Sequence, residues 1–290
     1  MIDKILRSMG SFLGKQRVAR LIFQNKIKNA KDLKIDGLYG AKYKLPNIQE
    51  NIGFEIYING IYEKETINLL KGLLPQNGQF LDVGANIGSI LIPLCTQRPD
   101  IKAIAIEASP WIYQYLRSNV ELNNLKNVLS FNFALLDNNN CEVDFFAPQD
   151  KFGKGSLSPI FTKRSEKVQS RTIDSIMEEL DLKSVELIKI DVEGYEYFVF
   201  KGAENLLKSK NAPIILFEFV DWAENAVEGL NTGMAQQILL SMGFQLYRIG
   251  EKHNLIKMHS ILHNGSHNLI AIPQNTNLTK LEKRGYKLYE

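Results

Sequence analysis

From about residue 50 onward, short apolar runs alternate with longer stretches in which apolar residues recur at helical spacing. This alternation is typical of βα units and predicts a mainly parallel sheet with helices on both faces. Seven apolar runs are interpreted as the strands of one doubly wound α/β sheet. In chain order they are QFLDV (79–83), IKAIAIEA (101–108), VLSFNFAL (128–135), VELIKIDVEG (185–194), PIILFEFV (213–220), QLYRIG (245–250) and HNLIAIP (267–273).

The stretches between these runs predict the helices. In one of them, Ser109-Pro110 is a helix-start signal and Asn123-Asn124 is a stop signal, which indicates a helix over 109–124. The turn-rich stretch 141–163 interrupts the alternation and predicts an antiparallel excursion or a flexible loop over the sheet. The other predicted helices cover 62–74, 89–97, 171–180, 195–210 and 234–244.

The chain has 290 residues, enough for two average domains, but a single α/β domain often takes about 250 residues. We therefore expect one sheet domain with extensions at both ends. The expected division is a basic, helical N-terminal extension at 1–50, the sheet domain at 51–275 and a C-terminal tail at 276–290.

Composition places the chain among folded globular proteins, with 44% hydrophobic and 23% charged residues. No run approaches the roughly 20 apolar residues of a membrane span, and the N-terminus lacks the apolar core of a secretory signal. A cytoplasmic location is expected from these two features. Cys95 and Cys141 are far apart and have no nearby histidine, which argues against a disulfide framework, a redox pair or a thiolate zinc site.

The net charge of +3 is unevenly distributed. Residues 1–34 contain nine Lys or Arg and two Asp, which gives this segment +7 and leaves −4 for the remainder. Because apolar residues are interleaved with the basic ones, the segment is expected to pack on the body as a solvated helix or, as the alternative, to lie on an anionic membrane. The near-neutral total predicts no nucleic-acid partner.

Polar residues gather at the carboxyl ends of the predicted strands, where an open parallel sheet binds its ligands. The first strand runs into Gly84-Ala-Asn86-Ile-Gly88, whose glycines would let the backbone turn sharply beside a ligand. Asn86 tolerates positive φ better than most residues with a Cβ, and it can donate amide hydrogen bonds to a carboxylate. Glu107 ends the second strand, 19 residues after Gly88, and is placed to accept hydrogen bonds from two ribose hydroxyls.

The spacing of the two glycines distinguishes between ligand classes. The pattern G-x-x-x-G departs from the G-x-G-x-x-G fingerprint that brings the backbone close to a pyrophosphate, which disfavours an NAD-linked oxidoreductase. A phosphate-free adenosyl ligand carries a sulfonium and an amino group, which a carboxylate such as Asp82 attracts. A purely structural turn is the alternative for this motif by itself, but the convergence of several strand ends favours a ligand site.

The chain resembles the FkbM family of S-adenosylmethionine-dependent class I methyltransferases, which have a Rossmann-like fold. The resemblance spans about residues 60–275 and depends on the combination of motifs in the family's order. The motifs are DVGANIG (82–88), IEASP (106–110), NVELNN (119–124), ALLD (134–137), RTIDSI (171–176), IKIDVEGYE (188–196), KGAENLL (201–207) and LFEF (216–219).

The resemblance implies how S-adenosylmethionine would be held. Its methionine part would lie on the glycine turn, its ribose on Glu107, and its adenine near Phe133 and Ala134. Many class I enzymes carry an acid after the third strand, where this chain has Asn132, so adenine recognition would depend on backbone groups. Glu63 would hold the amino group or else lie on a helix face. The predicted cofactor-binding residues are Glu63, Asp82, Gly84, Asn86, Gly88, Glu107, Ala108, Phe133 and Ala134.

Three acids are the candidates for catalysis. Methyl transfer from a sulfonium is an in-line displacement that depends on positioning, and a hydroxyl acceptor would also benefit from a general base. Asp191 is the first candidate for the base or for an orienting group, with Glu193 beside it and Glu218 on the next strand. The alternatives are that these acids bind a divalent cation or that Glu193 caps the following helix. The histidines at 253, 259, 263 and 267 are interpreted as surface residues rather than as a base or a metal site.

The activity that the resemblance implies is O-methylation of a hydroxyl on a sugar, a glycan or a secondary metabolite. Residues 152–161 are predicted to form a lid or an acceptor-contact segment, with a loose surface loop as the alternative. A catalytically silent protein that binds the cofactor and docks through its basic N-terminus is the alternative function. The intact acids at the strand ends argue against it.

Overall fold

The computed structural model describes residues 14–251 and 254–289. The helices are α1 Lys15–Ile22, α2 Gln24–Asn29, α3 Asn51–Asn59, α4 Lys64–Leu73, α5 Leu91–Gln97, α6 Pro110–Leu122, α7 Ile173–Glu179, α8 Glu196–Lys201, α9 Glu204–Leu207, α10 Asp221–Asn225, α11 Met234–Ser241 and α12 Thr279–Glu282. The strands are β1 Lys31–Asp36, β2 Lys42–Asn47, β3 Gln79–Val83, β4 Lys102–Ile106, β5 Val128–Phe131, β6 Ala134–Leu135, β7 Glu142–Phe145, β8 Glu166–Arg171, β9 Leu187–Ile190, β10 Ile214–Val220, β11 Phe244–Ile249, β12 Leu255–Lys257, β13 Ser266–Pro273 and β14 Leu288–Tyr289.

One mixed sheet forms the centre, with strands in the order β14-β12-β11-β13-β10-β9-β3-β4-β5. The strands from β10 to β5 in this order are parallel neighbours, whereas β13 runs antiparallel to both β10 and β11. All seven predicted strands are found in this sheet, which confirms the mainly parallel α/β architecture. The short edge strands β12 and β14 extend it, so residues 288–289 of the predicted C-terminal tail contribute a strand.

Two predicted elements are divided in the structure. The third predicted strand ends at Phe131, and Ala134–Leu135 pairs instead with β8 in a separate sheet that also contains β7. The helix predicted over 195–210 is broken between α8 and α9 at Gly202. There the carbonyl oxygen of Leu136 approaches so closely that a Cβ would lie 2.0 Å from it. Only a residue without a side chain allows this approach.

Residues 14–50 contain a β-hairpin that the sequence did not predict. After α1 and α2, the antiparallel strands β1 and β2 pair with each other, and Tyr43 and Leu45 on β2 are fully buried. Asn119 of α6 fixes the hairpin, because its Oδ1 accepts from the N–H of Lys44 at 2.6 Å. The first strand is mostly polar and exposed, so its pattern carried little signal. A domain boundary at residue 50 stays a prediction.

Apolar side chains cover both faces of the central sheet and form its two main cores. The strand β9 reads LIKI, and it is buried along its whole length, including the lysine. A third core, made of aromatic and aliphatic residues, packs residues 14–50 against α6. No helix in the described ranges combines the length and the apolar character that crossing a membrane requires.

Candidate functional site

A cleft lies at the carboxyl ends of β3, β4, β9 and β10, with about 1180 Å³ of space when its open mouth is included. This is the edge of the sheet at which the sequence predicted the ligand site. Gly88 and Ala134 do not border the cleft, although the sequence predicted both as cofactor-binding residues. The predicted site residues that line it are Glu63, Asp82, Gly84, Asn86, Glu107, Ala108, Phe133, Asp191, Glu193 and Glu218.

The turn after β3 contains left-handed backbone at Gly84 (φ +73°), Asn86 (φ +53°) and Gly88 (φ +82°). A Cβ on Gly84 would lie 1.9 Å from the carbonyl oxygen of Asp191 on the neighbouring strand. A Cβ on Gly88 would lie 3.0 Å from a side-chain atom of Ile92. Glycine is therefore required at position 84 by packing against backbone and is favoured at position 88 chiefly by the left-handed φ, in both cases independently of any ligand.

Asn86 uses its amide group within the protein. Its Oδ1 accepts from the N–H of Ile87 at 2.8 Å, and its Nδ2 donates to the carbonyl oxygen of Phe152 at 2.6 Å. The sequence predicted instead that this amide was available to a ligand carboxylate. Asn86 thereby joins the glycine turn to residues 152–158, which we call the strap.

The strap crosses the cleft between two walls. At one end the Phe152 ring is fully buried and its carbonyl accepts the bond from Asn86. At the other end, Lys154 Nζ lies 2.9 Å from Glu193 Oε1, and Ser156 Oγ donates to the Glu193 carbonyl oxygen at 3.0 Å. Residues 152–155 line the cleft between these ends. The segment predicted as a lid or a loose loop is therefore fastened on both sides.

Glu107 is buried just beyond the end of β4. Its two carboxylate oxygens accept from the backbone N–H groups of Asn86 and Ser109, each at 2.9 Å. Burial raises the pKa of Glu107 to about 7, although the two N–H donors act in the opposite direction. Because a carboxylate oxygen can accept more than one hydrogen bond, Glu107 keeps capacity for the hydroxyl groups of a ligand.

The wall beside Glu107 is formed by the chain after β5. The Phe133 ring borders the cleft, and the Arg171 guanidinium lies 5.3 Å from its ring centre. Asn132 donates from Nδ2 to the carbonyl oxygens of Glu107 and Ala108, both at 2.8 Å. Asn132, which stands where many class I enzymes have an acid, therefore stabilises the neighbouring loop, and no sequence motif indicates this contact.

A buried lysine, which the sequence analysis missed, lies between two of the predicted acids. Asp82 on β3 and Lys189 on β9 are register partners in neighbouring strands, and Asp191 follows Lys189 two residues later. Lys189 Nζ is 3.6 Å from Asp82 Oδ1 and 3.4 Å from Asp191 Oδ2. Burial by itself would lower the pKa of Lys189, but the carboxylates of Asp191, Asp82 and Glu63 outweigh burial and raise it. Lys189 is therefore charged.

Asp82 is fully buried, and neither of its carboxylate oxygens has a hydrogen-bond partner in the described part of the chain. The Lys189 ammonium, at 3.6 Å, is beyond hydrogen-bond distance. Buried carboxylate oxygens without donors are unfavourable by roughly 1–3 kcal/mol or more. A donor group on a bound molecule would therefore be stabilising at this point of the cleft.

Glu218 and Asp191 form a pair of acids on neighbouring parallel strands. Burial, together with the carboxylates of Asp191 and Glu193, raises the pKa of Glu218 to about 8. Glu218 consequently carries a proton at neutral pH beside Asp191, and its Oε1 accepts from Ser266 Oγ at 3.2 Å. Glu193 differs from both, since it is bound to Lys154 and to the strap.

Glu63 stands at the mouth of the cleft, at the start of α4, where it has φ +43° and accepts from Thr66 Oγ1 at 2.9 Å. Three of the histidines, at 259, 263 and 267, do not line the cleft, and His253 lies outside the described residues. In residues 14–251 and 254–289, no group of three or more His, Cys, Asp or Glu could hold a metal ion.

A family model and a named relative each match more than half of the chain. A family model described as the methyltransferase FkbM domain matches residues 82–249, more than half of the chain. The hexuronic acid methyltransferase AglP of Haloferax volcanii is 24% identical over 153 residues, which are 53% of this chain and 61% of that protein. The chain thus spans less than two thirds of the length of this relative.

Among solved structures, the precorrin-6y C5,15-methyltransferase of Geobacter metallireducens has a TM-score of 0.42 and 15% identity, over 73% of this chain and 92% of that one. Aeropyrum pernix fibrillarin, solved with natively bound S-adenosyl-L-methionine, has a TM-score of 0.41 and 13% identity, over 72% of this chain and 73% of that one.

Proposed function

The chain belongs to the FkbM methyltransferase family and uses S-adenosylmethionine, and from this premise we propose that it methylates a hydroxyl group of a sugar, a glycan or a secondary metabolite. The observation that carries the proposal is that Asp191 and Glu218 share one cleft with Glu107 and the glycine turn. The part formed by Glu107 and the glycine turn suits a nucleoside. The part formed by Asp191 and Glu218 suits an acceptor hydroxyl whose proton must be removed.

The residues of the cleft fit this cofactor. Asp82 has two buried carboxylate oxygens without partners among the described residues, and an ammonium group can supply donors to them. We assign Asp82, together with Glu63 at the mouth, to the amino group of the cofactor. Glu107 keeps acceptor capacity for the ribose hydroxyls, and the Phe133 ring offers an aromatic face to adenine.

When bound, the cofactor supplies an electrophilic methyl group on a positively charged sulfur. We propose that Asp191 accepts the proton of the acceptor hydroxyl, so that the hydroxyl oxygen would be able to take the methyl group as it leaves the sulfur. Lys189, 3.4 Å from the Asp191 carboxylate, holds this group in place, and protonated Glu218 can donate a hydrogen bond to it. Glu193 acts as a positioning residue through Lys154.

The acceptor class is inferred from the relative that is named a hexuronic acid methyltransferase, and from the acids in the cleft, since a sugar hydroxyl is a weak nucleophile that needs a base. Incubation of the protein and cofactor with sugars, glycans and small metabolites, followed by mass spectrometry, tests it. The expected result is a methyl increment on oxygen together with S-adenosylhomocysteine. Methylation on nitrogen or carbon would contradict O-transfer, and cofactor binding without any product would favour the catalytically silent alternative.

Glu107→Gln is expected to weaken cofactor binding by about tenfold, because it removes a charged acceptor of ribose hydrogen bonds. In the unaltered protein the affinity should rise by up to about tenfold between about pH 6 and pH 8, since the pKa of Glu107 is about 7 and its ionised fraction grows over that range. The substitution should abolish this rise. Calorimetric titration with S-adenosylmethionine at several pH values measures both effects.

Glu196→Gln is the matched control for Glu107→Gln. Glu196 is also buried, burial raises its pKa to about 8, and it also accepts from a backbone N–H, that of Val192 at 3.1 Å. It does not line the cleft, so this substitution should leave the cofactor affinity and its pH dependence unchanged. A pH dependence that survives in Glu107→Gln would remove Glu107 from the ribose site.

We also propose that the protein makes peripheral contact with a membrane through its basic N-terminal segment. The support is the uneven charge, since residues 1–34 carry +7 whereas the remainder carries −4. A basic segment of this kind is attracted to the negative surface of an anionic leaflet.

A further inference from the structure

Helix α1 is held on the body by one of its faces. Ala19 is fully buried, the Arg20 guanidinium lies 4.2 Å from the ring centre of Phe54, and Phe23 packs edge-on against Tyr57 with ring centres 5.1 Å apart. These contacts fix the rotation of the helix about its own axis. The side chains on the other face are therefore held outward, away from the core.

The outward face of α1 is apolar. Val18, Leu21 and Ile22 are spaced i, i+3 and i+4, so they lie side by side on the helix surface. Their exposed fractions are 44%, 72% and 48%. An isolated exposed apolar residue is ordinary, but three neighbours on one helix face form a patch that typically marks an interaction surface.

Basic residues border this patch. Residues 14–34 contain seven Lys or Arg and a single acid, Asp32, whose carboxylate already lies 3.3 Å from Lys44. Arg17, Lys26 and Lys28 are exposed on α1 and α2. An apolar helix face bordered by cations is complementary to an anionic bilayer, where the apolar residues enter the interface and the cations meet phosphates. Because the charges of this segment are almost all positive, they favour an anionic lipid surface. A protein partner would need acidic residues around its interface to match them.

We propose that Val18, Leu21 and Ile22 enter the headgroup layer of an anionic membrane while the neighbouring Arg and Lys side chains bind lipid phosphates. This inference rests on the proposed peripheral location and is independent of the methyl-transfer reaction. The patch is the apolar anchor, and the basic residues select the anionic leaflet and orient the protein on it.

Co-sedimentation of the full chain with vesicles tests the proposal. One set of vesicles consists of phosphatidylcholine alone, and the other contains roughly one third phosphatidylglycerol. The protein is expected to bind the anionic vesicles at least about tenfold more tightly, and added salt should weaken this binding. Leu21→Gln combined with Ile22→Gln should reduce binding to anionic vesicles by about tenfold or more, because it removes apolar surface and no charge.

Leu129→Gln combined with Leu240→Gln is the matched control, since these leucines on β5 and α11 are 52% and 40% exposed. This control should bind vesicles as the unaltered protein does, and thermal unfolding with cofactor titration should show both double variants to be folded. Absence of binding to anionic vesicles, or equal loss in both double variants, would overturn the proposal. So would a dimer or a complex with another protein that the substitutions in α1 disrupt while vesicle binding is unchanged.

Discussion

Asp191→Asn is expected to lower turnover by about 10²- to 10⁴-fold while cofactor affinity stays nearly unchanged. Asparagine keeps the size of the side chain and its hydrogen-bonding reach, but it cannot accept the proton of an acceptor hydroxyl. Lys189 still has Asp82 at 3.6 Å as a partner, so the buried charge is not isolated by the substitution. The measurements are the rate of S-adenosylhomocysteine formation with saturating acceptor and a calorimetric titration of the cofactor.

Glu218→Gln is the comparison that identifies the base. Since burial raises the pKa of Glu218 to about 8, this residue carries a proton at neutral pH, and the glutamine NH₂ group can replace that donor. We therefore expect Glu218→Gln to retain most of the turnover. If Glu218→Gln lost as much activity as we expect for Asp191→Asn, and Asp191→Asn retained it, Glu218 would be the base.

Gly84→Ala is expected to lower the free energy of unfolding by about 3–5 kcal/mol. Two causes add at this position, because φ is +73° and a Cβ would lie 1.9 Å from the carbonyl oxygen of Asp191. That oxygen belongs to the backbone just after β9, so the overlap can be relieved only by moving β3 and β9 apart. Chemical denaturation of the cofactor-free protein measures the change.

Gly243→Ala separates the two causes. Gly243 has φ +86°, but no neighbouring atom would lie within 4 Å of its Cβ, so only the backbone conformation is penalised. The expected loss there is about 1–2 kcal/mol. Equal losses at the two glycines would mean that β3 and β9 separate without strain, which would contradict the packing role of Gly84.

The features that the sequence predicted well depend on local pattern. The seven strands are apolar runs bounded by polar or turn residues, and a parallel sheet brings their carboxyl ends to one edge. That rule by itself places Asp82, Glu107, Asp191 and Glu218 at one edge of the sheet. Ten of the twelve predicted site residues line the cleft, and all of these except Glu63 lie in or directly after a strand of the sheet.

The features that escaped prediction depend on contacts between distant parts of the chain. The Asn86 amide is bound to the carbonyl of Phe152, 66 residues away, and Gly202, where the predicted helix is broken, lies against the carbonyl oxygen of Leu136. Lys189 did leave a signal, since a lysine in the buried strand LIKI needs a carboxylate partner. Its register neighbour on β3 is Asp82. The pairing of Asp82 with Lys189 could be predicted by aligning the two strands as parallel neighbours and comparing which side chains lie on the same face.

The strap is fastened at Asn86 on one wall and at Glu193 on the other. Both fastenings belong to the residues that surround the reacting groups, so loosening the strap also disturbs the alignment beneath it. A substitution at either anchor, Asn86 or Glu193, is therefore expected to change the shape of the cleft as well as the position of the strap.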